Sequence, residues 1–139
     1  MKSTKREKLK LWTDRVLTSK KRSTDQEKRV AKVLFGRLQP RSGAGDFMKA
    51  DLLTEDFLVE CKTTKARSYS LKLEDLMKIF SHAIECGCRD PLFIVTFENA
   101  MKPTAYRKNS DSDWAVLPLE TLKGLLDARK NMSHKAKKS

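Results

Sequence analysis

The sequence predicts an α/β fold, a single mixed β-sheet flanked by helices. Two observations carry this. Helical and strand-like stretches follow the order helix, hairpin, helix, strand, strand, helix, and one stretch, 92-LFIVTF-97, is a continuous apolar run of the kind found in strands covered on both faces. At 139 residues the chain fits one domain.

A first helix is expected to start near Thr24, because 24-TDQE-27 reads as a capping box, with Val30, Val33, Leu34 and Leu38 as its apolar stripe. The segment 39-QPRSGAGDF-47 combines Pro, Ser and two Gly, so it reads as a loop able to bring backbone close to a ligand, with a short strand leading into Arg41. Asp51 opens a hairpin, 54-TED-56 turns it, and 57-FLVECK-62 is its second strand. After the connector 63-TTKARSYS-70, Leu73, Leu76, Met77, Phe80 and Ile84 follow 3,4 spacing in a second helix that Gly87 closes. Pro91 precedes the apolar strand, residues 98–113 form a polar connection, and 114-WAVL-117 is a further strand in which Trp114 is expected to face the core. Pro118 begins a last helix carrying Leu119, Leu122, Leu125 and Leu126.

Charge divides the chain further. Of the formal net charge of +12, the excess lies at the ends: residues 1–22 hold nine Lys/Arg against Glu7 and Asp14, and the last twelve residues hold five basic groups and no acid. The sequence thus divides into a basic N-terminal arm (1–22), a central domain (23–128) and a basic C-terminal tail (129–139). Such ends point to a polyanionic partner, most commonly nucleic acid, although solvated tails would have the same composition. In the arm, Leu9, Leu11, Trp12, Val16 and Leu17 make only a ragged helical stripe, suited to a short helix on a partner or to an arm that orders on DNA. No apolar run approaches the roughly 18 to 20 residues of a membrane span, and the lysine-rich start lacks the apolar stretch of a signal peptide. Three cysteines, an odd number without a disulfide framework, fit a reducing compartment, so the cytoplasm is expected and a membrane partner is not.

The chemistry concentrates in 49-KADLLTEDFLVECK-62. Alternation along the second strand puts Phe57, Val59 and Cys61 on one face and Leu58, Glu60 and Lys62 on the other, and the tight turn lets Asp51 reach Glu60 and Lys62. Two carboxylates this close repel unless a divalent cation sits between them, and Mg²⁺, with Mn²⁺ as a substitute, suits an oxygen set completed by the Cys61 backbone carbonyl and water. Lys62 could orient or deprotonate an attacking water, or neutralise a phosphate as charge builds up. An ordinary cross-strand salt bridge on an exposed hairpin accounts for the same residues.

The ordered set resembles the PD-(D/E)XK nuclease superfamily, whose signature is an acid, a spacer across a hairpin, then Glu-X-Lys; here it stands as Asp51 followed by 60-ECK-62. Upstream, 27-EKRVAKVLFGRLQPRSGAGDF-47 looks like the archaeal and phage Holliday junction resolvase branch, and the resemblance extends over residues 24–97. It implies a restriction-endonuclease-like core and a Mg²⁺-dependent endodeoxyribonuclease acting in DNA recombination on branched double-stranded DNA, in a bacterial, archaeal or phage-infected cell. It also implies a homodimer, since two symmetry-related strands must be cut, and the second helix or 114-WAVL-117 could supply the dimer surface. Residue by residue, the resemblance makes Asp51 and Glu60 metal ligands, Lys62 the catalytic lysine and Glu27 a further acid acting through water, with Arg41 and Ser42 against the scissile strand. Ala50 stands where the superfamily name has Pro, and Asp46 competes with Asp51 as the first acid.

Glu27 falls on the inward stripe with Val30, Ala31 and Leu34, yet it is also the Glu of the Thr24 capping box, and one carboxylate cannot do both jobs. Lys65, Arg67, Tyr106, Arg107 and Lys108, with Lys49, form the basic and aromatic fringe expected near DNA phosphates or unstacked bases, although each is equally ordinary as a solvated loop residue. His82, Cys86 and Cys88 lack the four-ligand spacing of a zinc site, and His82 falls opposite the apolar stripe of its helix, where solvent is expected. Two histidines do not assemble a Ser-His-Asp hydrolase, and 42-SGAG-45 lacks the Lys-Ser/Thr of a P-loop. Other nucleases of the superfamily (flap, nicking or restriction-like) share the site pattern, and a non-catalytic nucleic-acid-binding protein would share the basic ends.

Overall fold

The computed structural model describes residues 4–39, 50–87, 89–99 and 111–138. The elements run α1 (Lys5–Leu34), β1 (Arg37–Leu38), β2 (Leu52–Leu53), β3 (Phe57–Thr64), α2 (Leu73–Glu85), β4 (Asp90–Phe97), β5 (Ser112–Val116) and α3 (Leu119–Lys138). The strands form one sheet in the order β1-β2-β3-β4-β5, with β3 and β4 parallel and every other pair antiparallel. A parallel pair cannot be joined by a tight turn, and α2 supplies the crossover. The predicted single mixed sheet with flanking helices is therefore present.

Each face of the sheet is covered by one helix. Val30 and Ala31 of α1 pack with Leu52, Val59, Cys61, Leu92 and Ile94, whereas Ile79, Ala83 and Cys86 pack with Ala50, Leu53 and Leu58 on the other side. Double coverage explains why β4 is buried from Pro91 to Thr96 and reads as an unbroken apolar run. The β2–β3 turn falls where 54-TED-56 predicts it. Thr54 holds the turn closed: its amide donates to the Phe57 carbonyl at 2.9 Å and its hydroxyl accepts from the Phe57 amide at 2.8 Å.

Three expectations need correction. The first helix does not start at Thr24; α1 is continuous from Lys5, capped by a reciprocal Thr4–Glu7 box, and the Thr24 hydroxyl donates back to the Lys20 carbonyl at 3.0 Å inside the helix. A short strand, β1, lies at Arg37–Leu38, while the segment through Arg41 expected to hold one lies outside the described residues. On α2 the buried positions are Ile79 and Ala83, while Leu73, Met77, Phe80 and Ile84 point outward. Trp114, in a strand that begins two residues earlier than expected, is 63% exposed, because among the described residues β5 is the edge strand of the sheet.

At the end of α1, Phe35 takes a left-handed conformation (φ 54°) and the chain turns through Gly36, where a Cβ would come within 3.1 Å of the Thr54 methyl. As expected, α2 closes at Gly87, in the left-handed region at φ 87°. The division points at residues 22 and 128 fall inside α1 and α3, and α3 buries none of its residues. Among the described residues, no helix is long and apolar enough to cross a membrane.

Candidate functional site

β2 begins only at Leu52, and Asp51, just ahead of it, takes over the pairing with β3. The Asp51 amide donates to the Val59 carbonyl at 3.1 Å, continuing the ladder, and its own Oδ2 then accepts the Cys61 amide at 2.8 Å in place of the next backbone carbonyl. The amide and carbonyl of a strand residue point to the same edge, so the Cys61 carbonyl opens beside Asp51. Glu60 and Lys62 point to the α2 side, where Lys62 Nζ meets Glu60 Oε1 at 2.5 Å.

The electrostatics follow from this crowding. Burial pushes the Glu60 carboxyl above its ordinary range; the Lys62 hydrogen bond opposes the rise and the Asp51 charge adds to it. Burial would lower Lys62, but the hydrogen bond and charge of Glu60, joined by Asp51, outweigh it and hold the ammonium above its ordinary value. Lys62 is thus a fixed cation at neutral pH, better suited to orienting water or neutralising phosphate than to removing a proton. Burial also raises the Cys61 thiol, and the charges of Asp51, Glu27 and Glu60 add to it, so all three predicted acids are felt at the middle of β3.

Glu27 is buried, 5% exposed, and accepts from the Ser23 hydroxyl at 3.0 Å. Its inward placement matches the helical wheel, and the capping role is removed because Thr24 is mid-helix. It does not share a face with Glu60, however. α1 packs on the Cys61 side of β3, whereas Glu60 faces α2. Lys65 and Arg67 follow β3 and are exposed. Arg41, Ser42 and Lys49, together with Asp46, Cys88, Tyr106, Arg107 and Lys108, lie outside the described residues.

Several neighbours of the site carry only a weak signal in the sequence. Gln26, buried next to Glu27, donates to the Lys62 carbonyl at 2.8 Å and to the Thr96 hydroxyl at 2.6 Å. Its place beside Glu27 on a buried stripe was the available clue. Asp75, Lys78 and His82 of α2 line a cleft of about 100 Å³ with Glu60, Lys62 and Phe93. His82 is therefore half-buried at the cleft rather than pointing into solvent.

Among the described residues, no three His, Cys, Asp or Glu side chains gather as a metal cage. The oxygen set on offer is Asp51, Glu60 and the Cys61 carbonyl. Two carboxylates and a carbonyl fit Mg²⁺, which keeps several of its waters and needs no all-protein cage. Compared with known protein families, curated proteins and solved structures, the chain matches none.

Proposed function

We propose that the protein is a Mg²⁺-dependent structure-selective DNA endonuclease, a Holliday junction resolvase acting in the cytoplasm on branched double-stranded DNA. One observation carries the reading: Asp51 holds the free edge of β3 through the Cys61 amide, directly beside the Glu60–Lys62 pair. A carboxylate spent on a plain cross-strand salt bridge would be expected to pair with Lys62, whereas Asp51 is spent on orienting itself. In this reading Asp51, Glu60 and the Cys61 carbonyl hold Mg²⁺, or Mn²⁺ in its place. Such a cation would supply Lewis-acid chemistry, stabilising charge on the phosphoryl group and making a water more acidic.

The chain's own residues do the rest. Lys62, kept charged by Glu60, neutralises the phosphate as negative charge develops, and Gln26 fixes the Lys62 backbone from behind. Glu27, buried on the α1 side of β3 and bound by Ser23, lies across the sheet from Glu60 and is left out of this set. Lys65 and Arg67 hold flanking phosphates, and the basic first turns of α1 add affinity that falls with salt. The outward stripe of α2 (Leu73, Met77, Phe80, Ile84) supports a homodimer, because an apolar face of this kind calls for a cover.

The test is incubation with Mg²⁺ and a synthetic four-way junction beside linear duplex of the same sequence. Symmetric nicks confined to the junction are expected, and both Glu60→Ala and Lys62→Ala should abolish them. Equal cutting of junction and duplex would assign a general nuclease of the same superfamily. Binding without cutting by the unaltered protein would leave only a nucleic-acid-binding role.

A further inference from the structure

We propose that Trp114 is a stacking platform for an unpaired nucleobase, with Lys65 and Arg67 holding the phosphates of the same single strand. The proposal rests on the nucleic-acid reading above and specifies the DNA form the site takes: a strand with unstacked nucleotides beside the scissile bond.

Lys62 pairs with Val95 and Val95 with Trp114, so the three residues form one row across the sheet. Paired residues on neighbouring strands point to the same face. Trp114 therefore shares the face of the Glu60–Lys62 pair, two strand spacings away, or about 10 Å. That separation is on the order of one to two nucleotides of extended strand.

The indole itself is presented to solvent. It is 63% exposed on the sheet, and its Nε1 donates to the Ser112 hydroxyl at 2.8 Å, which fixes the ring while leaving it uncovered. Exposing so large an apolar ring is unfavourable in the absence of a partner.

The indole also borders a cleft. It measures about 770 Å³ and is lined by Lys65, Arg67, Phe97 and Trp114, with Glu98 at its wall. Glu98 does not repel an anion there, because its carboxylate is engaged by Arg22 at 3.2 Å and by the Thr63 hydroxyl at 2.8 Å. Two cations and an uncovered aromatic ring suit a ligand that is flat, apolar on its faces and anionic along one edge. A single-stranded nucleotide has that chemistry, whereas a base inside a duplex has its faces already stacked. Lys65 also lines a second groove along α1, with Asp14, Thr18 and Arg22.

The test uses the full chain in EDTA, so that binding is read without turnover. In a Trp12→Phe background Trp114 is the only tryptophan, and titration with the oligonucleotide (dT)12 should quench its fluorescence. Trp114→Ala should weaken (dT)12 binding by about tenfold to a hundredfold and leave blunt duplex binding within about twofold. Trp114→Phe, which keeps a ring, should recover most of the loss, and Lys65→Ala with Arg67→Ala should flatten the salt dependence. An unquenched Trp114, an unchanged (dT)12 affinity in Trp114→Ala, or equal losses for single strand and duplex would each overturn the platform. Junction cleavage in Mg²⁺ is scored separately: quenching without cleavage removes the nuclease reading and leaves the platform, and cleavage without quenching does the reverse.

Discussion

Gln26 of α1 donates its side-chain amide to the backbone carbonyl of Lys62 at 2.8 Å. The same nitrogen reaches the Thr96 hydroxyl, which donates to Asp113, and Asp113 is bound in turn by Arg29 at 2.6 Å. One network thus ties α1 to β3, β4 and β5 behind the candidate site. Gln26→Leu fills similar space but leaves the Lys62 carbonyl without this donor. We expect a loss of about 1–3 kcal/mol in urea denaturation, together with slower cleavage. An unchanged denaturation midpoint would show that the bond contributes nothing.

Asp51 has two separable jobs, and two substitutions divide them. Asp51→Asn keeps an oxygen for the Cys61 amide and removes the charge, so the fold should survive while junction cleavage falls on the order of 10²–10³-fold. Asp51→Ala should lose cleavage and also about 1–3 kcal/mol of stability. Measuring Mg²⁺ binding by calorimetry on Asp51→Asn gives an independent readout, because a heat signal equal to wild type would exclude Asp51 as a ligand.

Glu60 has a raised pKa, so its ionisation works against folding. Its contribution is most favourable below its unfolded value near 4.5 and is lost as pH rises through the higher folded value. Glu60→Gln mimics the protonated form at every pH. In EDTA its melting temperature should therefore exceed wild type at neutral pH, with the difference shrinking as pH falls toward 4. A difference that grows on acidification has the wrong sign and would defeat the argument.

The outward face of α2 gives a fourth test. Phe80→Glu places a charge in the middle of the exposed stripe and leaves the buried Ile79 and Ala83 untouched. Light scattering should report a dimer for wild type and a monomer for the variant, with the melting temperature nearly unchanged. A wild-type monomer at tens of micromolar would remove this face as a dimer surface.

The sheet was legible because its signals are local. Alternation in 57-FLVECK-62 puts Glu60 and Lys62 on one face, Thr54 marks the turn, and the unbroken apolar run of β4 marks a strand covered on both sides. The helices were misread wherever two local signals had the same form. Thr24 and Glu27 have the spacing of a capping box, but so do Thr4 and Glu7, and the helix begins at the earlier pair and runs through the later one. On α2 the periodicity identified a helix and two faces, but not which face the sheet covers; small Ala83 lies inward because α2 sits close to β3 and β4. The Asp51–Cys61 bond and the Gln26 network join residues that are distant along the chain or depend on where β2 stops, and no spacing rule reports either.

The continuity of α1 has a geometric consequence. At 1.5 Å per residue, its 30 residues make a rod about 45 Å long, anchored near its C-terminal half by Gln26 on β3 and by Arg22 on Glu98. A rigid outrigger transmits angular phase as well as reach. One residue inserted ahead of Leu11 would swing Lys5 and Lys8 through about 100° around the axis while leaving the sheet as it is. Whatever the first turns touch is thereby held at a set bearing from Lys62, and the two ends of the rod cannot be retuned independently.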